Sequence, residues 1–152
     1  MSSPFLYIKS LREKLPSLYQ SFSIEQLNSI PSGFKNNLAW QLGHIVNTPL
    51  ILCYHRTAVA PQIEIPFLDA YKNGSKPEAF IDQATIQYFL EQLVPSLEVI
   101  EQDYKQGLFH QVAAATTHTF GVPMQCIEDY FDCINMHEAL HYGQLSQMKK
   151  LI

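Results

Sequence analysis

Apolar residues recur at steps of three and four along four long stretches of this chain, and no stretch alternates convincingly with a period of two. That spacing lays a single apolar stripe down a helix and cannot lay a single face on a strand. The first stripe passes through Phe5, Ile8, Leu11 or Arg12, Leu15, Leu18 and Phe22. The second, with Asn36 as its cap, passes through Leu38, Leu42, Ile45, Pro49 and Leu52 and reaches about Thr57. A third, over residues 83–106 behind an Asp82 cap, uses Ile86, Phe89 or Leu90, Leu93, Leu97, Ile100 and Tyr104. The last starts near Pro123 and runs to Ile152 through Ile127, Tyr130, Ile134, His137, His141, Leu145 and Met148. Four such helices predict an all-α, four-helix bundle. The length, 152 residues, predicts one domain over residues 1–152.

Local punctuation refines this picture. Ser23 and Gln26 have capping-box spacing ahead of a short helix, and Pro31, Ser32 and Gly33 mark a turn. Pro16, Pro49 and Pro95 fall inside three of the helical patterns, and each should kink or split its helix. Residues 58–81 form a connection too long for a simple bundle loop, with Pro61, Pro66, Gly74 and Pro77. A short helical piece over residues 67–72 fits there, and the connection is placed over an end of the bundle. Lys149 and Lys150 should complement the dipole in the last helical turn.

Charge excludes some function classes. Ten Lys and Arg against fourteen Asp and Glu give a net charge of −4, with only two arginines, Arg12 and Arg56. Nucleic-acid binding needs a basic stripe, and none exists. Six carboxylates between Glu78 and Asp103, without a basic residue, read as a solvated outer face rather than a cation site. The most apolar stretch, residues 38–60, is broken by His44, Asn47, Pro49, His55 and Arg56, so a core helix is expected rather than a membrane span. The N-terminus lacks the apolar run of a signal peptide. Three cysteines without CxxC spacing suit a reducing, cytoplasmic setting. Only 16% of residues are charged, a light surface that favours a homodimer slightly.

The chemistry concentrates in His137-Glu138-Ala139-Leu140-His141. Spacing of i, i+4 puts both imidazoles on one helix face, one turn apart, which suits a single divalent ion. They continue the apolar stripe and therefore point inward, where each ring nitrogen needs a partner. The string also fits the zinc-protease pattern H-E-x-x-H, but its extended form needs Gly at 144 and His at 147, where this chain has Gln144 and Gln147. A third ligand must come from upstream: His44, His55, His110 or His118. His44 shares its helix face with Asn37, Gln41 and Thr48, a strip polar enough to hold imidazoles. Trp40, Tyr54, Phe120 and Tyr142 are aromatics that either line a pocket near these histidines or fill the core.

The segment Asn36-Asn37-Leu38-Ala39-Trp40-Gln41-Leu42-Gly43-His44-Ile45-Val46, taken with the terminal His137-Glu138-Ala139-Leu140-His141-Tyr142-Gly143-Gln144, resembles the DinB/YfiT-like superfamily. The resemblance implies a four-helix bundle with a long connection between the second and third helices. It also implies a metal triad of His44, His137 and His141; for three imidazoles zinc is the default ion, and nickel suits them too. Three neutral imidazoles leave coordination room and the full +2 charge, the arrangement of a catalytic site. Characterised relatives include transferases of low-molecular-weight thiols, so the resemblance favours thiol S-transfer to a small electrophile. Two alternatives stay open: hydrolysis of a small substrate with Glu138 as general base, and a non-catalytic, metal-binding dimeric bundle. Glu138 also has a plain reading, as a solvated or paired carboxylate one step round the helix from His137.

Overall fold

A computed structural model describes residues 3–152; Met1 and Ser2, where the signal-peptide reading begins, lie outside the described residues. The fold is all-α apart from one two-stranded hairpin. Every apolar stripe lands on helix, and the prolines decide how each is divided. The first becomes α1 (Leu6–Arg12) and α2 (Leu15–Gln20), with Pro16 in the first turn of α2. A capping box of Ser23 and Gln26 then opens α3 (Ile24–Asn28) as the spacing predicts. The second stripe is α4 (Leu38–Leu50), which runs on through a π-helical stretch, Ile51–Arg56. Pro49 offers no N–H to the Ile45 carbonyl, and the helix widens directly after it. A four-residue helix, α5 (Leu68–Tyr71), occupies the long connection. The third stripe splits into α6 (Gln83–Gln92) and α7 (Pro95–Lys105), with Pro95 as the first residue of α7 and Asp82 capping α6. The last is α8 (Ile127–Met148), a single unbroken helix.

Several boundaries differ from the sequence expectations for physical reasons. Asn37, not Asn36, caps α4, accepting from the Trp40 N–H at 2.8 Å. Pro123 does not open α8; it pairs in β2 (Pro123–Met124) with β1 (Ala115–Thr116), antiparallel in the register Ala115 to Met124 and Thr116 to Pro123. The Asp129 carboxylate accepts from the N–H groups of Gln125 and Cys126, which fixes the helix start at Ile127. α8 ends at Met148, so Lys149 is its cap residue and Lys150 lies beyond it. The acidic run is not wholly a solvated face either. Glu101 is buried and takes Lys9 at 3.2 Å, Asp103 accepts from Tyr54 at 2.6 Å, and Asp82 is the α6 cap.

The core comes in two apolar clusters. One gathers Leu15, Leu42, Ile45, Phe89, Leu93 and Leu145; the other gathers Ile8, Cys53, Leu97, Ile100, Tyr130 and Ile134. Along α1 and α2, α6 and α7, and α8, the chain passes from one cluster to the other across a polar residue: Arg12, Ser96, and His137, Glu138 and His141. α4 is buried on nearly all sides from Leu38 to Asn47, as a central helix must be. A polar layer therefore crosses the middle of the bundle, and all the informative residues sit in it. Among the described residues no helix is long and apolar enough to cross a membrane.

Candidate metal centre

His44 comes from the middle of α4, and His137 and His141 from successive turns of α8. The His137 Nε2 lies 3.1 Å from the Nε2 of His44 and 3.1 Å from that of His141, and one donor atom from each of the three rings falls within 4.8 Å of the others. His44 and His141 are buried and His137 half-buried. Burial pushes all three imidazoles toward the neutral form. His137 falls to about 2, through desolvation and then the neighbouring charges of His141, His44 and Arg12. His141 falls to about 3, through desolvation and then His44. Desolvation lowers His44 too, against the opposing pull of its bond to the Tyr71 backbone.

The outer nitrogens decide which face of each ring is available. His44 Nδ1–H donates to the Tyr71 carbonyl at 2.7 Å, and His141 Nδ1–H donates to Gln41 Oε1 at 2.5 Å. Gln41 is itself oriented, because its Nε2 donates to Gln144 at 2.9 Å and to Asn36 at 3.1 Å. With both Nδ1 atoms protonated, the Nε2 atoms of His44 and His141 carry bare lone pairs. His137 Nε2 has at most one proton to share between them. Three nitrogens thus converge with too few hydrogens, a donor set that a cation satisfies and a proton does not. Tetrahedral zinc with bonds of 2.0–2.1 Å needs ligand nitrogens about 3.3–3.4 Å apart, so the observed 3.1 Å contacts lie within a few tenths of an ångström of that spacing.

The long connection supplies part of this support. It lies along α4 rather than only over an end of the bundle: Ala70 accepts from the Trp40 indole at 2.9 Å and Pro66 from Asn47 at 2.8 Å. Gly43 allows it to come so close. A Cβ there would lie 2.4 Å from the Tyr71 ring, a distance no side chain tolerates. Trp40 stacks on the His44 ring, centroids 4.6 Å apart at 15°. Gly43 thus admits the Tyr71 carbonyl to the edge of the His44 ring, and Trp40 packs on its face.

Glu138, the candidate general base, faces Arg12. It is buried and both carboxylate oxygens accept from Arg12, from Nε at 2.6 Å and from Nη2 at 2.9 Å. Arg12, fully buried, also donates to Leu93 O at 2.6 Å, to Ser96 Oγ at 3.1 Å and to the Ile45 carbonyl. The last of these is the acceptor that Pro49 strips of its helical donor. Leu93 lies just ahead of the Pro95 break, where Leu97 N–H bonds Val94 instead. One guanidinium thus ties α1, α4, α8 and the break between α6 and α7 together, one residue from His137. The available signal was an arginine standing in an apolar stripe; the two carbonyls it serves have no sequence signature.

The remaining candidates do not join the triad. His55 bonds the Ile63 carbonyl at 2.7 Å, and His110 bonds Gly107. His118 lines a cleft of about 330 Å³ whose walls include His44 and His137. Phe120 lines the same cleft, whereas Tyr54 is buried in the second core cluster and Tyr142 packs against the first. A larger cleft of about 450 Å³ touches Trp40 and Tyr71 but none of the three histidines.

A comparison with curated protein sequences gave no match. The family model for the DinB superfamily matches residues 7–145, a span that contains His44, His137 and His141 and nearly all of the helical chain. On that match and this architecture, the chain belongs to the DinB superfamily.

Proposed function

We propose that this chain is a divalent-metal-dependent enzyme that transfers a low-molecular-weight thiol to a small electrophile, with zinc or nickel held by His44, His137 and His141. The convergence of three Nε2 lone pairs with two outer nitrogens already committed carries this reading. A divalent ion held by these three neutral rings would supply the undiminished charge that acidifies a thiol or water bound to it. In the transfer the thiol loses its proton, its sulfur bonds to the electrophilic carbon, and the leaving group departs with its bonding electrons.

The residues of this chain do the rest. Tyr71 and Gln41 hold two rings in one tautomer and one orientation. Burial keeps all three imidazoles neutral and able to ligate. The cleft against His44 and His137 gives a small molecule access, which speaks against a purely structural metal site. Hydrolysis with Glu138 as base is the weaker reading, because that carboxylate is spent on Arg12. A cytoplasmic homodimer belongs to the same proposal; exposed Met136 and Leu140, four apart on α8, support the dimer.

The test is conjugation of a thiol to a chromogenic electrophile such as chlorodinitrobenzene by zinc- or nickel-loaded protein. Turnover should vanish on chelation, return on reloading, and be absent from His137→Ala. Equal rates with and without metal would end the transferase reading.

A further inference from the structure

The charged lining of the cleft beside the triad is opposite in sign to the chain's net charge. The chain carries fourteen Asp and Glu and a net charge of −4, yet among the described residues no Asp or Glu lines this cleft. Its charged lining residues are Arg56 and Lys72. Thr116, Thr119 and Asn73 add neutral hydrogen-bonding groups, while Leu52, Phe120 and Met124 supply apolar wall.

The two cations are not equivalent. Lys72 is already engaged by Asp69 at 2.7 Å, outside the cleft. Arg56 forms no ion pair among the described residues, and its one hydrogen bond, to the Thr116 carbonyl, is a long 3.4 Å. Of the chain's two arginines, Arg12 is consumed in the core, so Arg56 is the guanidinium left for recognition. A planar fork of donors suits a carboxylate better than any other group this cleft offers. Arg56 also lies twelve residues beyond His44 on the same continuous helix, about three turns away through the α-helical and then the π-helical part. Arg56 is therefore set well apart from the triad along the helix, whereas Lys72 follows Tyr71, whose carbonyl bonds His44.

We infer that the cleft selects a substrate with a carboxylate at one end, bound by Arg56, and its reacting group at the other, beside His44 and His137. This deepens the metal-enzyme reading and rests on it for the second half. Arg56 is a specificity residue, and nothing in its position brings it to the reacting atoms.

The experiment uses cobalt-loaded protein titrated with 6-mercaptohexanoate and with 6-mercaptohexanol, following the sulfur-to-cobalt charge-transfer band and measuring cobalt content separately. Wild type should prefer the carboxylate by about tenfold, the worth of one charge-assisted contact. Arg56→Gln should lose the preference while keeping cobalt content and mercaptohexanol affinity, and Arg56→Lys should keep part of it. Equal affinity of wild type for both thiols would overturn the inference. So would an Arg56→Gln variant that weakens both alike, which would make Arg56 a strut to the hairpin. If cobalt does not bind, the metal reading fails separately. The metal-free protein titrated with hexanoate and hexanol, followed by histidine chemical shifts, then decides: a hexanoate preference lost in Arg56→Gln supports the anion site, and equal binding removes it.

Discussion

Replacing Glu138 should cost stability, not chemistry. Its carboxylate neutralises a guanidinium that is wholly buried and makes five hydrogen bonds to three other partners and to Glu138 itself. Glu138→Leu leaves that charge in the core without a counter-ion, which costs about 3–5 kcal/mol. Arg12→Met should cost more, because it also takes the Arg12 donors from the Ile45 carbonyl, at about 1–3 kcal/mol, and from the Leu93 carbonyl, which keeps only a long 3.4 Å bond from Ser96 Oγ. The double variant removes both charges and recovers part of the loss, but the Ile45 carbonyl left without the Arg12 donor holds it below wild type by about 1–3 kcal/mol. Urea unfolding of the metal-free protein at pH 7, followed by far-ultraviolet circular dichroism, measures all three. An unchanged dependence on urea concentration would show that stability alone has moved. A Glu138→Gln variant with the wild-type midpoint and no turnover would refute this reasoning and return Glu138 to the role of base.

Gly43→Ala drives a methyl into the Tyr71 ring, so it should cost about 1–3 kcal/mol and weaken zinc binding by loosening the carbonyl that orients His44; a thermal melt and a zinc titration check both. Gln41→Leu removes the acceptor from His141 Nδ1 and should lower zinc affinity about 10–100-fold with the fold intact, measured by competition with a chromophoric chelator. Acid should destabilise the metal-free protein before the carboxylates titrate. Above about pH 6.5 these histidines are neutral in both states; below it the unfolded chain binds protons that burial denies the folded one, so stability falls with pH. Unfolding midpoints between pH 7 and 5 should drop for wild type and drop less for His141→Gln.

The helical architecture was legible because periodicity reports burial: Ile86, Phe89, Leu93, Leu97 and Ile100 are all inward as their spacing implies. Pro16, Pro49 and Pro95 also marked where helices break or widen, since a missing N–H acts locally. The pairing of His137 with His141 was equally local. What was not legible depends on contacts between distant segments. Glu138 sits 126 positions from Arg12 in the chain, and the Tyr71 carbonyl is a backbone atom with no side-chain signature. The start of α8 shifted for a related reason: Pro123 is a good first-turn residue, but pairing with Thr116 in the hairpin took it first.

Metal content of the purified chain tests the central claim most directly. Wild-type protein loaded with zinc, dialysed and analysed by elemental mass spectrometry should retain one ion per chain. His44→Ala, which keeps both histidines of α8, should retain far less while its circular dichroism stays helical. Equal zinc in the two proteins would contradict a centre built from both helices, as would a wild-type chain that binds none.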